Sequence, residues 1–205
     1  MSARADILAG IRAALAAAPP EPVAIPRDYD REPLRGLGDL ATFAETVADY
    51  RARVFRIAEN TIAETVAALA DTGPVVTPED LPTDWTIGVE TLRDHPNQLL
   101  STEQLDGAAA VVTGCAVAIA ATGTIVLDGG AAQGRRALTL VPDHHVCVVF
   151  ASQIVDTVPQ GFAALDPLRP LTFISGPSAT SDIELERVEG VHGPRILDVL
   201  IVESH

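Results

Sequence analysis

Apolar positions near the start of the chain recur at spacings of three and four residues. This periodicity predicts a helix over residues 2–18, with Ser2 as its N-cap and the following prolines as its end. Five prolines between residues 19 and 33 disfavour a regular element, so an irregular arm is expected there. A terminal helix on such an arm commonly serves either as an oligomer contact or as an unattached tail. Both alternatives stay open, and a homo-oligomer is one of the partners considered.

From residue 39 onward, short apolar runs alternate with amphipathic segments. Helices are predicted over residues 40–50, 61–70, 102–106 and 152–165, and strands over residues 54–57, 75–76, 85–89, 109–112, 116–120, 124–127, 145–150, 171–175 and 196–202. Thr61 and Glu64 have the spacing of a capping box. The two apolar runs around Thr122 and Gly123 predict a hairpin or a sharply bent strand. The alternation as a whole predicts an α/β fold with a parallel or mixed sheet covered by helices.

Length and charge narrow the class of protein. A chain of 205 residues fits one α/β domain over residues 36–205, preceded by the helix and arm over residues 1–35. The 14 basic and 28 acidic residues give a net charge of −14, which disfavours binding to nucleic acid. No run of 18 apolar residues predicts a membrane span, and charged residues interrupt any signal-peptide pattern at the start. A soluble cytoplasmic protein is therefore expected.

The chain has two cysteines, Cys115 and Cys147, without the spacing of a metal-binding motif. They are predicted to be free thiols in a reducing compartment. Four cysteines are normally needed to hold an iron–sulfur cluster, so no such cluster is expected in this chain. No metal site and no other cofactor is predicted either.

Two candidate ligand loops lie around residues 120–136, since chemistry in α/β sheets concentrates in the loops that follow strands. The first contains Thr122, Gly123 and Thr124, whose hydroxyls and small size suit a carboxylate or phosphate oxygen; the alternative is an ordinary turn. The second is a glycine-rich stretch that ends in Arg135 and Arg136, where backbone amides and guanidinium groups suit an anion. A flexible loop with solvated arginines is the alternative there.

A third candidate loop is rich in small polar residues and follows the predicted strand 171–175. Its candidate ligand-binding residues are Ser175, Gly176, Ser178, Thr180, Asp182 and Glu184. Ser181 and Glu184 also match a capping box, so part of the loop could simply begin a helix. Asp182, Glu184 and Glu186 would share one face of a strand and could bind a divalent ion, but a solvated acidic face is the more common outcome.

A fourth candidate segment brackets a histidine between two glycines just before the last predicted strand. His192 is the candidate catalytic residue, as a general acid or base or as a hydrogen-bond donor to a substrate carbonyl. Gly193 and Arg195 are candidate ligand contacts, since Arg195 could pair with a carboxylate. Adjacent His144 and His145 lie on a predicted strand and point to opposite faces, so they are a poor metal pair.

Six of these segments, in this order, resemble the motifs of the LUD domain. More closely, the chain resembles the lactate-utilisation protein C family, with agreement from about residue 105 to the end and weaker agreement from about residue 39. The segments that carry the resemblance are residues 118–127, 134–136, 141–146, 174–178, 180–184 and 190–195. Two positions depart from the family pattern. Ala121 stands where family members commonly have Glu, and Ala179 stands where many have a basic residue.

The resemblance implies a fold and a biological setting. The fold would be the three-layer α/β arrangement, with a mixed or mostly parallel sheet, shared by glucosamine-phosphate isomerases, ribose-phosphate isomerases and CoA transferases. The family acts in a bacterial three-protein system that oxidises L-lactate to pyruvate, in which the partner subunits resemble iron–sulfur proteins.

Two functional hypotheses follow from this resemblance. In the first, the chain is a non-redox subunit that binds lactate, pyruvate or a related organic acid and helps to assemble the iron–sulfur partners. In the second, it is a stand-alone enzyme acting on a sugar phosphate or a CoA ester, by analogy of fold alone.

Overall fold

The computed structural model describes residues 3–16, 24–28, 38–70, 73–177 and 193–203. Within these residues the helices are α1 (Ala3–Ala16), α2 (Leu40–Asp49), α3 (Ile62–Leu69), α4 (Thr102–Asp106) and α5 (Val158–Ala164). The strands are β1 (Arg53–Ala58), β2 (Val75–Pro78), β3 (Thr91–Asp94), β4 (Ala110–Thr113), β5 (Val117–Ile119), β6 (Thr124–Leu127), β7 (His144–Phe150), β8 (Ile154–Val155), β9 (Thr172–Ile174) and β10 (Ile196–Glu203).

Six strands form a main sheet in the order β1-β10-β7-β4-β2-β3, and every neighbouring pair is parallel. The central strands β7 and β10 are buried along almost their whole length, and most of their residues are apolar. This pattern is typical of parallel strands that are covered on both faces. The predicted α/β class with a mostly parallel sheet is confirmed.

A second, smaller sheet has the strand order β8-β5-β6-β9. Strands β5 and β6 are antiparallel neighbours joined by a short turn at residues 120–123, which confirms the predicted hairpin. Alternate side chains of this sheet face in opposite directions. Ala118, Ile125 and Leu127 pack toward the main sheet, in one core cluster with residues of β7 and β10. The intervening side chains form a separate outer cluster that contains Val117, Ile119, Val126 and Leu165.

The main sheet is therefore covered by two different kinds of layer. On one face, Ile62 and Val66 of α3 join a core cluster with alternate residues of the main strands. On the other face, Phe43 and Val47 of α2 pack beside the second sheet. The second sheet and α2 together thus form one layer. The candidate loops around residues 120–130 and 175 are placed against this layer.

Two predicted elements were wrong in position. The predicted strand over residues 85–89 is a 3-10 turn at Thr83–Thr86, and the edge strand begins later, at Thr91. Gly88 explains the shift, because its φ of 89° is incompatible with an extended strand. The predicted helix over residues 152–165 is confined to α5, since its first residues form a 3-10 turn and the short strand β8. Pro159 lies in the first turn of α5, where proline is tolerated and the helix starts.

The N-terminal helix agrees with its prediction, and one cap differs. Helix α1 spans Ala3–Ala16, none of its described side chains is buried, and the predicted helix residues 2, 17 and 18 lie outside the described residues. Most of the proline-rich arm lies outside the described residues, and its described part, residues 24–28, has no regular structure. The capping box predicted at Thr61 is absent, because its hydroxyl donates to the carbonyl of Ala58 at 2.8 Å. Among the described helices, none has the length and apolar character needed to cross a membrane.

Candidate functional site

Three hydroxyl groups from two of the predicted loops converge in the structure. The side-chain oxygens of Thr122 and Thr124 are 2.8 Å apart, and the same distance separates the oxygens of Thr124 and Ser175. They form a continuous hydrogen-bonded chain on the wall of a cavity of about 370 Å³. The residues that line this hydroxyl cavity are Tyr50, Ile119, Thr122, Thr124, Val158, Phe162, Phe173 and Ser175.

Two glycines hold the hydroxyl chain against the end of α2. Gly123 has a φ of 56°, and a Cβ at this position would lie 2.6 Å from the backbone of Thr46 and Val47. Gly176 has a φ of 88°, and a Cβ there would overlap the backbone carbonyl of Tyr50. Both conformations and both close approaches require glycine. The two glycines predicted from sequence therefore have a clear structural role, which is to bring their loops onto α2.

Aromatic side chains form the rim of the hydroxyl cavity. The ring centroids of Phe162 and Phe173 are 5.4 Å apart with an interplanar angle of 31°. The two residues remain 53% and 45% exposed. The cavity thus combines an apolar, half-exposed rim with a polar inner wall.

The predicted pair of arginines lies at a second cavity, of about 440 Å³. Its lining residues are Leu127, Gly129, Gln133, Gly134, Arg135, Arg136, Thr139, Pro170 and Thr172. Arg135 is committed to the fold, because its guanidinium donates to both carboxylate oxygens of Asp94, at 2.8 and 3.0 Å, and to the carbonyl of Leu100. Burial raises the pKa of Asp94, but the bonds from Arg135 and from the Leu100 amide outweigh it and hold that pKa below its usual range.

Arg136 has a different environment in this arginine cavity. Its Nη1 donates to the carbonyl and the hydroxyl of Thr139, at 2.9 and 2.7 Å. No carboxylate of the described residues forms an ion pair with it. Arg136 is an exposed residue, and partial desolvation at the cavity wall lowers the pKa of its guanidinium. Its remaining N–H donors are therefore available to an anion.

The hydroxyl cavity and the arginine cavity lie on opposite faces of the second sheet. In β6, Leu127 belongs to the face that packs on the main sheet, whereas Thr124 shares the outer face with Val126. In β9, Thr172 likewise alternates with Phe173. The predicted ligand residues are thus divided between two places rather than gathered in one.

The remaining candidate residues fall into two groups. Arg195 forms an exposed ion pair with Asp143, in which both side chains are more than 60% accessible to solvent. A Cβ on Gly193 would lie 3.9 Å from the carbonyl oxygen of Thr139, which places Gly193 beside the arginine cavity. The other candidates lie outside the described residues, and their roles stay predictions: Ser178, Thr180, Asp182, Glu184 and the candidate catalytic residue His192.

Sequence reasoning missed a buried charge in β10. Asp198 is fully buried, with Arg53 Nη2 at 2.6 Å and His144 Nε2 at 2.7 Å from one of its carboxylate oxygens. Burial raises the pKa of Asp198, but the hydrogen bonds from His144 and Arg53 outweigh it and leave the pKa below its usual range. The signal was present, since an acidic residue inside an apolar strand requires partners.

The two histidines of β7 have separate partners. His145 Nε2 lies 2.8 Å from the hydroxyl of Thr113, whereas His144 contacts Asp198. The two rings therefore have different partners, as expected for adjacent strand residues, whose side chains point to opposite faces. In the part of the chain that the structure describes, no group of three potential metal ligands comes together. Cys115 and Cys147 are buried free thiols, as predicted for their redox state.

Comparison with known proteins confirms the resemblance. The family model described as the LUD domain matches residues 90–202, more than half of the chain. The chain is 47% identical to lactate utilization protein C of Deinococcus radiodurans, over 98% of this chain and 95% of that protein. It is 30% identical to lactate utilization protein C of Geobacillus kaustophilus, over 63% and 62% of the two chains.

A solved structure supports the same assignment. The crystal structure of a DUF162 family protein from Deinococcus radiodurans superimposes with a TM-score of 0.68 at 44% identity, covering 80% of this chain and 95% of that one. Sequence and fold therefore agree over most of the chain. The protein belongs to the LUD domain family and is a lactate utilization protein C-like member of it.

Proposed function

We propose that the protein is a cytoplasmic, non-redox subunit of a bacterial system that oxidises L-lactate to pyruvate, and that it binds a small organic acid through Arg136. The link to lactate is supported by the names of its relatives. The binding role is supported by one observation, the guanidinium of Arg136, which lines the arginine cavity without a carboxylate partner among the described residues.

A carboxylate ligand is the natural complement of this guanidinium. Thr139 engages Nη1 and fixes the side chain, which leaves the rest of the planar fork for two parallel hydrogen bonds. Hydrogen bonds to charged groups contribute roughly 1.5–3 kcal/mol each. Losing one such bond corresponds to an approximately 10- to 100-fold change in affinity, so Arg136 alone is sufficient to dominate recognition of a small acid.

The size of the arginine cavity favours a second candidate function. At about 440 Å³, the cavity falls in the range that drug-sized ligands occupy, and lactate would fill only part of it. A sugar phosphate or a CoA ester would use the same guanidinium for its phosphate. Such a ligand would make the protein a stand-alone enzyme, acting like its fold relatives, instead of a subunit.

Ligand binding separates the two candidates. Titration calorimetry with L-lactate, pyruvate, a sugar phosphate and CoA is expected to show binding of an organic acid that Arg136→Gln weakens about 10- to 100-fold. Arg56→Gln is the matched control, because Arg56 lies on the edge strand β1 and forms an exposed ion pair with Glu203 of β10. Binding of phosphates or CoA alone would contradict the organic-acid assignment and support the second candidate.

We also propose that iron–sulfur partner subunits carry the redox groups. The chain has two cysteines, both enclosed in the core, where they donate to Gln153 and to the carbonyl of Gly114. Anaerobic co-expression with two candidate iron–sulfur partner proteins is expected to yield a complex in one affinity step. A chain that never associates with either protein would refute the subunit role.

A further inference from the structure

We propose that the hydroxyl cavity binds an uncharged planar ring that carries a carbonyl oxygen, the chemistry of a quinone head group. This cavity lies on the outer face of the second sheet and is separate from the arginine cavity. The inference rests on the charge of the lining, the aromatic rim and the hydroxyl chain.

The lining selects against anions. None of the described residues that line the hydroxyl cavity is a lysine, arginine or histidine. A carboxylate or phosphate would lose its hydration there without gaining a cation, which is strongly unfavourable. Lactate and pyruvate therefore belong with Arg136, and the hydroxyl cavity suits a neutral molecule.

The rim favours a flat apolar ligand. Phe162 and Phe173 are in contact with each other, yet each leaves about half of its surface in water. Val158 extends the apolar surface at the start of α5, where it is 37% exposed. Covering these faces with a ring removes apolar area from water and adds ring–ring contacts, which contribute beyond area alone.

The hydroxyl chain selects the polar edge of the ligand. A hydroxyl both donates and accepts, so the chain of Thr122, Thr124 and Ser175 can donate to a carbonyl oxygen or accept from an O–H group. A quinone presents the carbonyl oxygen, and the hydroquinone formed from it presents the O–H group. Because Gly123 and Gly176 fix both loops on α2, the same oxygens serve both forms without rearrangement.

The proposed function gives this ligand a chemical context. Oxidation of a 2-hydroxy acid to a 2-oxo acid releases two electrons and two protons, and a quinone that takes up both becomes the hydroquinone. This connection rests on the proposed function. Binding of the ring to the hydroxyl cavity does not, because it involves neither lactate nor Arg136.

Calorimetric titration of the full chain with a short-chain, fully substituted 1,4-benzoquinone tests the proposal. Such a ring has no free carbon for thiols to attack. Thr124→Val keeps the shape of the side chain and removes the middle hydroxyl, so an approximately three- to tenfold loss of affinity is expected. Phe173→Leu should give a similar loss through the rim. Leu168→Ala, at a residue that is 92% exposed, and Arg136→Gln are controls that should leave quinone affinity unchanged.

The outcomes are distinguishable. Absence of saturable quinone binding at millimolar concentration overturns the proposal, as does binding that neither Thr124→Val nor Phe173→Leu weakens. Riboflavin offers a second uncharged ring with carbonyl groups, and binding of riboflavin without the quinone overturns the quinone assignment. If Arg136→Gln loses organic-acid binding but keeps quinone binding, the ligand assignments of both cavities are supported. Failure of lactate to bind anywhere would count against the proposed function alone.

Discussion

Replacing Gly123 by alanine is expected to destabilise the protein by more than backbone strain alone. With a φ of 56°, Gly123 has a left-handed backbone, which costs an L-residue roughly 1–2 kcal/mol. The added Cβ would also lie 2.6 Å from the backbone carbon of Thr46 and the backbone nitrogen of Val47. These atoms belong to α2 and cannot rotate away, so the loop or the helix must shift.

The magnitude follows from adding the two effects. Forcing extra atoms into a packed region costs roughly 1–3 kcal/mol, so Gly123→Ala should lower the free energy of unfolding by about 2–5 kcal/mol. Gly88→Ala is the matched control, since Gly88 also has a positive φ, of 89°, but a Cβ there meets no atom within 4 Å. The control should therefore show the conformational strain without the steric clash.

Urea denaturation followed by far-ultraviolet circular dichroism measures both variants. Provided that the slope of the transition is unchanged, the shift of the midpoint gives the difference in the free energy of unfolding. Gly123→Ala should be the less stable variant by at least about 1 kcal/mol. If the two variants lose equal stability, the close packing of this loop on α2 is not what holds the hydroxyl chain in place, and the reasoning is refuted.

Three further predictions concern the buried charges and thiols. The free energy of unfolding should fall as the pH drops below about 4. The pKa of Asp198 is lower in the folded protein than in the unfolded chain, so ionised Asp198 stabilises the fold, and this contribution is lost when the carboxylate is protonated. Chemical denaturation between pH 7 and pH 3 checks this. Arg135→Gln should lower the free energy of unfolding by about 2 kcal/mol, because it leaves the buried carboxylate of Asp94 without its ion-pair partner. Arg136→Gln should lower it by less than about 1 kcal/mol, and thermal melts would show the difference. Cys115 and Cys147 should be unreactive toward a thiol reagent in the native protein and should both react in guanidinium, in an absorbance assay.

The elements that sequence predicted best are those in which local pattern and burial agree. The hairpin around Thr122 was predictable because two apolar runs flank a glycine that the turn requires. The central strands were predictable because each contains a run of apolar residues, 146–150 in β7 and 199–202 in β10, as strands covered on both faces demand. In both cases the neighbouring elements reinforce what the local sequence already favours.

The elements that sequence predicted poorly depend on distant partners. Trp85 has the composition of a strand residue, but it packs against Phe150, with ring centroids 5.9 Å apart, from within a 3-10 turn. Strand β8 has two residues and exists because it pairs with β5. No pattern within so short a segment distinguishes it from the start of the helix that follows.

Sequence named the candidate ligand residues but not how they are arranged. Thr122, Thr124 and Ser175 were identified as ligand residues, and the structure brings them into hydrogen-bond contact. The arginines are separated from these hydroxyls because alternate residues of β6 and β9 face opposite sides of the second sheet. Which residues face which side is settled only when the two strands pair in register. The aromatic rim was missed because Phe162 lies on a helix and Phe173 on a strand, 11 residues further along the sequence.

The two neighbouring arginines show how tertiary contacts assign chemistry to residues that look equivalent in sequence. Arg135 is neutralised by Asp94, which lies 41 residues earlier, whereas Arg136 turns toward Thr139 and has no acidic partner within the described residues. The chain has 28 acidic side chains for 14 basic ones, so acidic partners are abundant. In a protein with this excess of negative charge, a guanidinium that lines a cavity without a carboxylate partner is a specific exception. The N–H donors of Arg136 that do not bond to Thr139 can bind an anion from outside the chain, which is why Arg136 is the residue on which the proposed ligand depends.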